Sequence, residues 1–357
     1  MSLTDLSSPY AEAQLEDFAV RLYTAAGMDT NMAQSVARLQ VLTDAMGRMT
    51  HGLAMAPLYL KEIEKGTMAT SGQPEIVRDH EVSAVWDGGY LPGLWLMEQA
   101  IQTAMPRASR HGMSAMAIRR THHIGCLAAL VKQAADQGYV ALIANSDPAG
   151  QRVAPYGGTE ALFTPNPMAV GYPGADHPVL VDMCASITTT SMTREKYAAG
   201  EQFEQPWLLD AKGVPTRDPA VLEHTEPRGS LQLLGGLDYG HKGFGLALMI
   251  EALSQGLSGH GRKDAPKRWG GNVFLQVIDP QAFAGREAFA EQMDHLADRC
   301  RENRPIDPSR PVRLPGDRAA RGITQAKRQG IRYSKTAWAA IGEAASKLGV
   351  QTPTALA

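Results

Sequence analysis

Apolar positions in the first fifty residues recur at helical spacing. Leu15, Phe18 and Leu22 share one face of a helix predicted over Ala11 to Ala26, and Met32, Val36, Leu39 and Leu42 share a face of a second beginning after Asp29. Asp29 or Thr30 is the expected N-cap, because a short oxygen-bearing side chain can take up a free first-turn N–H. From about Val82 the texture changes. Short β-type runs, Ser114 to Ile118, Tyr139 to Ala144, Val179 to Asp182 and Asn272 to Ile278, alternate with helical ones and predict an α/β core. Gly256 to Gly271 lacks apolar periodicity and is rich in Gly, Lys and Arg, so a mobile loop with solvated charges is expected there. Past Arg301 the chain is Pro-rich and extended, and it closes with a helix carrying Trp338, Ile341, Ala345 and Leu348 on one face.

Composition narrows the class. With 357 residues and 44% apolar positions the chain can bury a sizeable core in two lobes or one interwoven unit. Lys plus Arg number 35 against 37 Asp plus Glu, a net charge of −2, which gives no electrostatic case for nucleic acid. Met1 to Asp17 is polar and acidic, and no apolar run approaches the ~20 residues a bilayer requires, so a cytoplasmic protein with no membrane partner is expected. Three scattered cysteines, Cys126, Cys184 and Cys300, suit reduced thiols better than a disulfide framework.

Four constellations could carry chemistry. Thr50-His51-Gly52, with Tyr59 two turns on, sets a hydroxyl beside an imidazole and a glycine that lets another group approach the ring; the plain alternative is a satisfied structural histidine. Thr121-His122-His123-Ile124-Gly125 follows a predicted strand and precedes a helix starting near Cys126, where free backbone N–H groups can meet a phosphate or carboxylate. Paired histidines also suggest metal, but no third ligand sits at metal-site spacing. Val179 to Cys184 is an apolar strand with Asp182 near its C-terminal edge, suited either to orienting an imidazole or to capping a turn. Gly240 to Gly245 (GHKGFG) leads into an apolar helix, Leu246 to Leu257, which suggests phosphate contact through Lys242, yet the order matches neither Walker A nor the dinucleotide fingerprint. Neither a Rossmann domain nor a nucleophilic serine elbow is supported.

Read together, these segments resemble the type-2 malate/L-lactate dehydrogenase family, which includes ureidoglycolate, sulfolactate and diketogulonate enzymes and Δ1-piperideine-2-carboxylate reductases. The strongest stretch runs from VLVDMCAS through TREKYAAGE and WLLDAKGVPTRDP to LLGGLDYGHKGFGLALMIEALSQGLSG, with VAPYGG, VFLQVIDPQAF, LPGDR and KLGV in support. The resemblance implies a non-Rossmann α/β fold with a helical N-terminal lobe (1–80), a mixed-sheet core that binds cofactor and substrate (81–300), and a C-terminal segment (301–357) returning onto the N-terminal lobe. It implies an NADPH- or NADH-dependent oxidoreductase, built as a homodimer with the cofactor near the subunit interface. The family's hydroxyl, imidazole and carboxylate relay falls on Thr50, His51 and Asp182, with His123 a competing acid/base. Its nucleotide contacts fall on Thr121, His122, His123 and Gly125, on Asn166, on Lys242, and on Gly316, Asp317 and Arg318; substrate contacts fall on Met55, Tyr59 and Asn166.

Two departures bear on the substrate. Where the family reads His-Gly-x-x-Arg, with the arginine expected to grip a carboxylate, this chain has Met55; and the family's Gly-Thr-Asn-Pro reads Thr164-Pro165-Asn166-Pro167. A small ketone or a cyclic or N-substituted imine whose carboxylate is absent, esterified or bound elsewhere is therefore the expected substrate. The alternatives are a 2-hydroxy acid dehydrogenase in which Arg48 or Arg120 replaces the missing clamp, and a non-catalytic binding subunit.

Overall fold

The computed structural model describes residues 6–356. A seven-stranded mixed sheet in the order β1-β2-β3-β10-β4-β5-β6 organises it. Its strands are β1 (Glu75–Asp79), β2 (Ser83–Asp87), β3 (Met113–Thr121), β4 (Val140–Ser146), β5 (Pro167–Tyr172), β6 (Val179–Cys184) and β10 (Gly271–Ile278). Every neighbouring pair is antiparallel except β2 with β3, so a doubly wound parallel nucleotide fold is absent from this sheet. β10 enters between β3 and β4 from more than a hundred residues downstream. Its alternation explains the two cores: Val273, Leu275 and Val277 join the cluster beneath the helical lobe, while Phe274 joins the cluster on the opposite face.

The first face is covered by α1 (Glu12–Ala25), α2 (Thr30–Ala45), α3 (Ala56–Glu64), α4 (Gly93–His111) and α5 (Leu127–Ala135), whose apolar stripes meet there. Leu15, Phe18 and Leu22 of α1 and Met32, Val36 and Leu39 of α2 are all fully or almost fully buried. Asp29 is the N-cap of α2, but its side chain makes no capping hydrogen bond. The opposite face carries α6 (Thr190–Ala198), the short α7 (Ala220–Glu223), a three-stranded sheet β8-β7-β9 (β7 Leu208–Leu209, β8 Pro215–Thr216, β9 Ser230–Leu231), and α8 (Gly236–Glu251). Beyond β10 follow α9 (Arg286–Arg301), α10 (Asp317–Gln329) and α11 (Lys335–Lys347). The two ends meet: Tyr10 pairs with Ile331 through backbone hydrogen bonds, and Trp338 stacks on Tyr10 with centroids 4.2 Å apart.

Two local expectations need correction. The segment Gly240 to Gly245 lies inside α8 rather than at a helix start, because α8 begins after Gly235. Glycine's low helix propensity hides it, but a Cβ at Gly243 would stand 2.6 Å from Leu234 N and O, so the glycine is what lets the helix approach its neighbour. The charges between Gly256 and Gly271 are not all solvated. Arg262 is half-buried, 2.9 Å from Glu251 Oε1 and donating to Gly150 O at 2.8 Å, so one of those cations ties α8 to the loop after β4. Arg262 also lies 3.2 Å from Ser146 Oγ, and Asn166 Nδ2 meets the same Glu251 oxygen at 2.9 Å.

Candidate active site

A cleft of about 1830 Å³ opens between the two faces. Its floor is the turn after α2, the β3–α5 loop and the start of β10; its outer rim is the loop after β4, the start of α6 and the segment before β9. Short polar connections converge here because each follows the end of a sheet strand or a helix, which is where α/β proteins leave backbone groups unpaired.

Thr50 and His51 occupy a 3-10 turn, Met49–His51, directly after α2. Thr50 Oγ1 lies 2.9 Å from His51 Nδ1. Gly52 serves a different partner from the one anticipated: a Cβ there would overlap the Asp44 carboxylate, which accepts from Leu53 N at 2.9 Å and from Tyr333 O–H at 2.8 Å. Burial raises Asp44 to about 7. The group brought close by the glycine is thus a buried structural carboxylate beneath the turn.

His123 stands opposite. Tyr59 O–H lies 2.8 Å from His123 Nδ1, and the His123 ring is sandwiched between Trp269, 4.9 Å away and tilted 29°, and His51, 5.8 Å away and tilted 28°. Burial holds the Tyr59 phenol protonated far into the alkaline range. His123 keeps one edge open to the cleft, yet burial of the remainder, then the adjacent His51 and His122, hold its pKa well below the usual imidazole value. Burial lowers His51 as well, and the Asp182 carboxylate partly opposes that shift.

His122 is fully buried, its Nε2 4.0 Å from Glu62 Oε2, and neither ring nitrogen has a hydrogen-bond partner among the described residues; burial brings it to about 4. Gly125 has φ +64°, and a Cβ on it would stand 2.8 Å from Leu94. A Cβ on Gly93 would lie 2.3 Å from His122 O and 2.5 Å from His123 O, so glycines at both contacts let α4 press on the histidine loop.

Asp182 accepts from Ala128 N at 3.1 Å and sits 3.7 Å from Cys126 Sγ, so it covers the N-terminus of α5 from the neighbouring strand. Burial raises its pKa, opposed by that backbone N–H, by Arg48 and by His51. Asp182 thus does not cap the turn that follows its own strand, as the local reading expected, but the start of α5 from the adjacent part of the fold, with its charge acting on His51. Thr50 rather than Asp182 makes the hydrogen bond to the His51 ring.

The remaining candidates divide. Met55 lines the cleft, as do His122, His123 and Gly125. Thr121 is buried with its hydroxyl donating to His122 O at 3.0 Å, behind the cleft wall. Asn166, at φ +48°, is buried with its amide spent inside the protein: Nδ2 donates to Ala247 O and Glu251 Oε1, and Oδ1 accepts from Thr164 Oγ1 at 2.8 Å. Lys242 is exposed on α8 over the Tyr239 ring, 5.1 Å from its centroid. Gly316 to Arg318 lie beyond the cleft at the edge of β6, where Leu180 N donates to Pro315 O and Asp317 pairs with Arg301 and His177. Of the two arginines that could replace the missing clamp, Arg120 is held by Asp87 at 2.6 Å, whereas Arg48 lines the cleft beside His51 and Asp182.

Sequence reasoning missed Trp269, inside the stretch read as a mobile loop, and Asn145, which lines the cleft and whose buried Oδ1 has no partner among the described residues. An aromatic residue just before a glycine pair and a strand is the signal that could have flagged Trp269.

The malate/L-lactate dehydrogenase family profile matches residues 10–342. Hydroxycarboxylate dehydrogenase B of Escherichia coli K12 is 28% identical over 353 residues, covering 95% of this chain and 94% of the relative. Among solved structures, a putative malate/lactate dehydrogenase from E. coli superposes with a TM-score of 0.88 at 27% identity, covering 97% of this chain and 96% of that one. The Δ1-piperideine-2-carboxylate reductase of Pseudomonas syringae superposes with a TM-score of 0.82 at 25% identity, covering 95% of this chain and 100% of that one. With a non-Rossmann mixed sheet, a histidine-lined cleft and a match over nearly its whole length, the chain belongs to the malate/L-lactate dehydrogenase family of oxidoreductases.

Proposed function

We propose that this chain moves a hydride between NADPH or NADH and the carbon of a small C=O or C=N group that carries a carboxylate. The observation that carries the reading is the stack of Trp269, His123 and His51, with a hydroxyl on each histidine Nδ1, set in one cleft with Arg48. The cleft exceeds the ~300–1,000 Å³ of an ordinary small-ligand pocket, as a dinucleotide plus a substrate requires. Buried, unpartnered polar atoms at its wall, both nitrogens of His122 and Oδ1 of Asn145, fit a polar cofactor. The His122-to-Gly125 loop would hold its polar groups, and when bound the dihydronicotinamide supplies the hydride.

The chain's own residues then have to move one proton. With the Thr50 and Tyr59 hydroxyls as the donors to Nδ1 of His51 and His123, each imidazole carries its exchangeable proton on Nε2. His51 is the acid that this arrangement favours, because the Asp182 charge stabilises its imidazolium form against burial and Arg48, whereas the charged forms of His51 and His122 both act against protonation of His123. Thr50 holds the ring and Tyr59 holds His123. Arg48 supplies the guanidinium that Met55 cannot, and Met55 forms an apolar wall. Lys242 and the Gly316-to-Arg318 loop reach a cofactor only if a second copy completes the site. The exposed apolar side chains of α8, Leu237, Tyr239, Leu248 and Met249, support such a homodimer.

A second reading, a neutral ketone or imine, is favoured by Met55 alone. Turnover of 2-keto acids, neutral ketones and cyclic imino acids with each cofactor separates the two. Carboxylate-bearing substrates should lead; no fluorescence response to NADH or NADPH up to millimolar concentration would sink the enzyme reading.

A further inference from the structure

The outer rim of the cleft carries three arginines from three separate segments. Arg152 precedes Val153, which bridges β9; Arg228 stands two residues before β9; Arg194 projects from α6. The backbone brings the first two together, since Leu231 N donates to Arg152 O at 2.8 Å. All three line the cleft, together with Thr189 and Thr190 at the start of α6. Their compensation is incomplete. Arg194 Nε lies 3.7 Å from Glu223, and Arg228 Nε lies 3.0 Å from Glu226. Among the described residues Arg152 hydrogen-bonds the carbonyl of Gln151, at 3.3 Å, while burial and then the charges of Arg228 and Arg194 lower its pKa, with Glu223 opposing them.

Like charges do not converge on a half-buried guanidinium without a reason. Three cations with two carboxylates leave an excess positive charge, and the Nη ends of guanidinium forks match the tetrahedral oxygens of a phosphate. The free N–H groups at the start of α6 add to that field. Thr189 uses its own hydroxyl to cap α6, accepting from Met192 N at 3.2 Å, so the Met192 N–H is already engaged.

We propose that Arg152, Arg194 and Arg228 form a subsite for a phosphomonoester dianion at the rim of the cleft. Its occupant is the 2′-phosphate of NADPH, which makes NADPH the preferred cofactor; this assignment of source rests on the nicotinamide reading above. The alternative source is a phosphate on the substrate, and the two are told apart by experiment.

The test uses the full chain. NADPH, NADH and inorganic phosphate are titrated against wild type, Arg152→Gln and Arg228→Gln, with thermal melts to verify folding. Wild type should bind NADPH more tightly than NADH, with phosphate competing against NADPH only. Each variant should weaken NADPH by about 10- to 100-fold and leave NADH within about threefold, the loss expected for one charge-assisted contact. If the variants lose phosphate binding but keep the NADPH-to-NADH ratio, the subsite stands and the phosphate belongs to the substrate. Unchanged phosphate and NADPH affinity in both folded variants overturns the subsite. Should wild type bind neither dinucleotide, the nicotinamide reading fails by itself, and the phosphate titration still decides the rim.

Discussion

The floor and the rim of the cleft solve opposite problems. On the floor, Tyr59 and Trp269 meet His122 edge to face while Trp269 stacks on His123, and burial is the largest influence on every histidine there, favouring the neutral rings. At the rim, Arg194 and Arg228 are about half exposed and paired through single contacts, so water screens them and they cost little to keep charged. A dry wall can hold a proton donor whose charge is set by a few fixed neighbours, here Asp182 and Arg48; a wet wall can attract an anion without burying ions. On the proposed reading chemistry and capture fall to different elements, and each can be broken without the other.

The largest expected effect is on the floor. His51→Ala should lower kcat by about 10²- to 10⁴-fold while leaving cofactor affinity near wild type. If His51→Ala turns over normally and His123→Ala does not, the acid role passes to His123, and stopped-flow binding with steady-state rates decides between them.

Arg48 stands where floor and rim join. Arg48→Ala should raise KM for 2-keto acids by about 10- to 100-fold, equivalent to roughly 1.5–3 kcal/mol, and leave neutral ketones untouched. Met55→Arg should act in the opposite sense on the same acids. Equal effects on charged and neutral substrates would show that Arg48 shapes the turn rather than holding a carboxylate.

A subtler change separates the two duties of Asp182. Asp182→Asn removes the anion that raises His51, so the pH limit for the reductive direction should move to lower pH, because the acid form of His51 persists over a narrower range. It should also cost about 0.5–2 kcal/mol of stability through the weakened cover on α5. A stability loss with an unmoved pH limb would leave Asp182 a cap alone.

The smallest effect concerns His122. Burial lowers it from 6.5 to about 4, so as pH falls below about 6.5 the unfolded chain takes up a proton that the folded chain refuses until about pH 4. Stability from this group is therefore fully present above pH 6.5 and lost on acidification through that window. Chemical denaturation should show His122→Phe gaining on wild type by about 1–3 kcal/mol between pH 7.5 and 4.5. A difference that does not vary with pH would mean that His122 finds a partner for its proton.

Periodicity and local chemistry determined a good deal. The burial of Leu15, Phe18 and Leu22 follows from their spacing, and β3, β4, β6 and β10 lie where the apolar runs stand, because one-sided burial imposes its repeat on the sequence. Ser334 and Thr189 cap their helices with side chains close in sequence, a purely local matter. The family likeness, carried by short motifs, also set the fold class in advance. What the chain in one dimension could not decide was long-range. GHKGFG reads as the approach to a helix because glycine disfavours helix interiors, and only the close contact of Gly243 with Leu234 and Ala185 shows why a glycine stands inside α8. Asn166 reads as a ligand contact until Glu251, 85 residues away, takes its amide. The order of the sheet, with β10 between β3 and β4, the meeting of Trp269 with two histidines, and the choice of Arg48 over Arg120 all depend on which distant partner wins a shared side chain. Asp87 claims Arg120 because its buried carboxylate needs a cation, and that leaves Arg48 for the cleft.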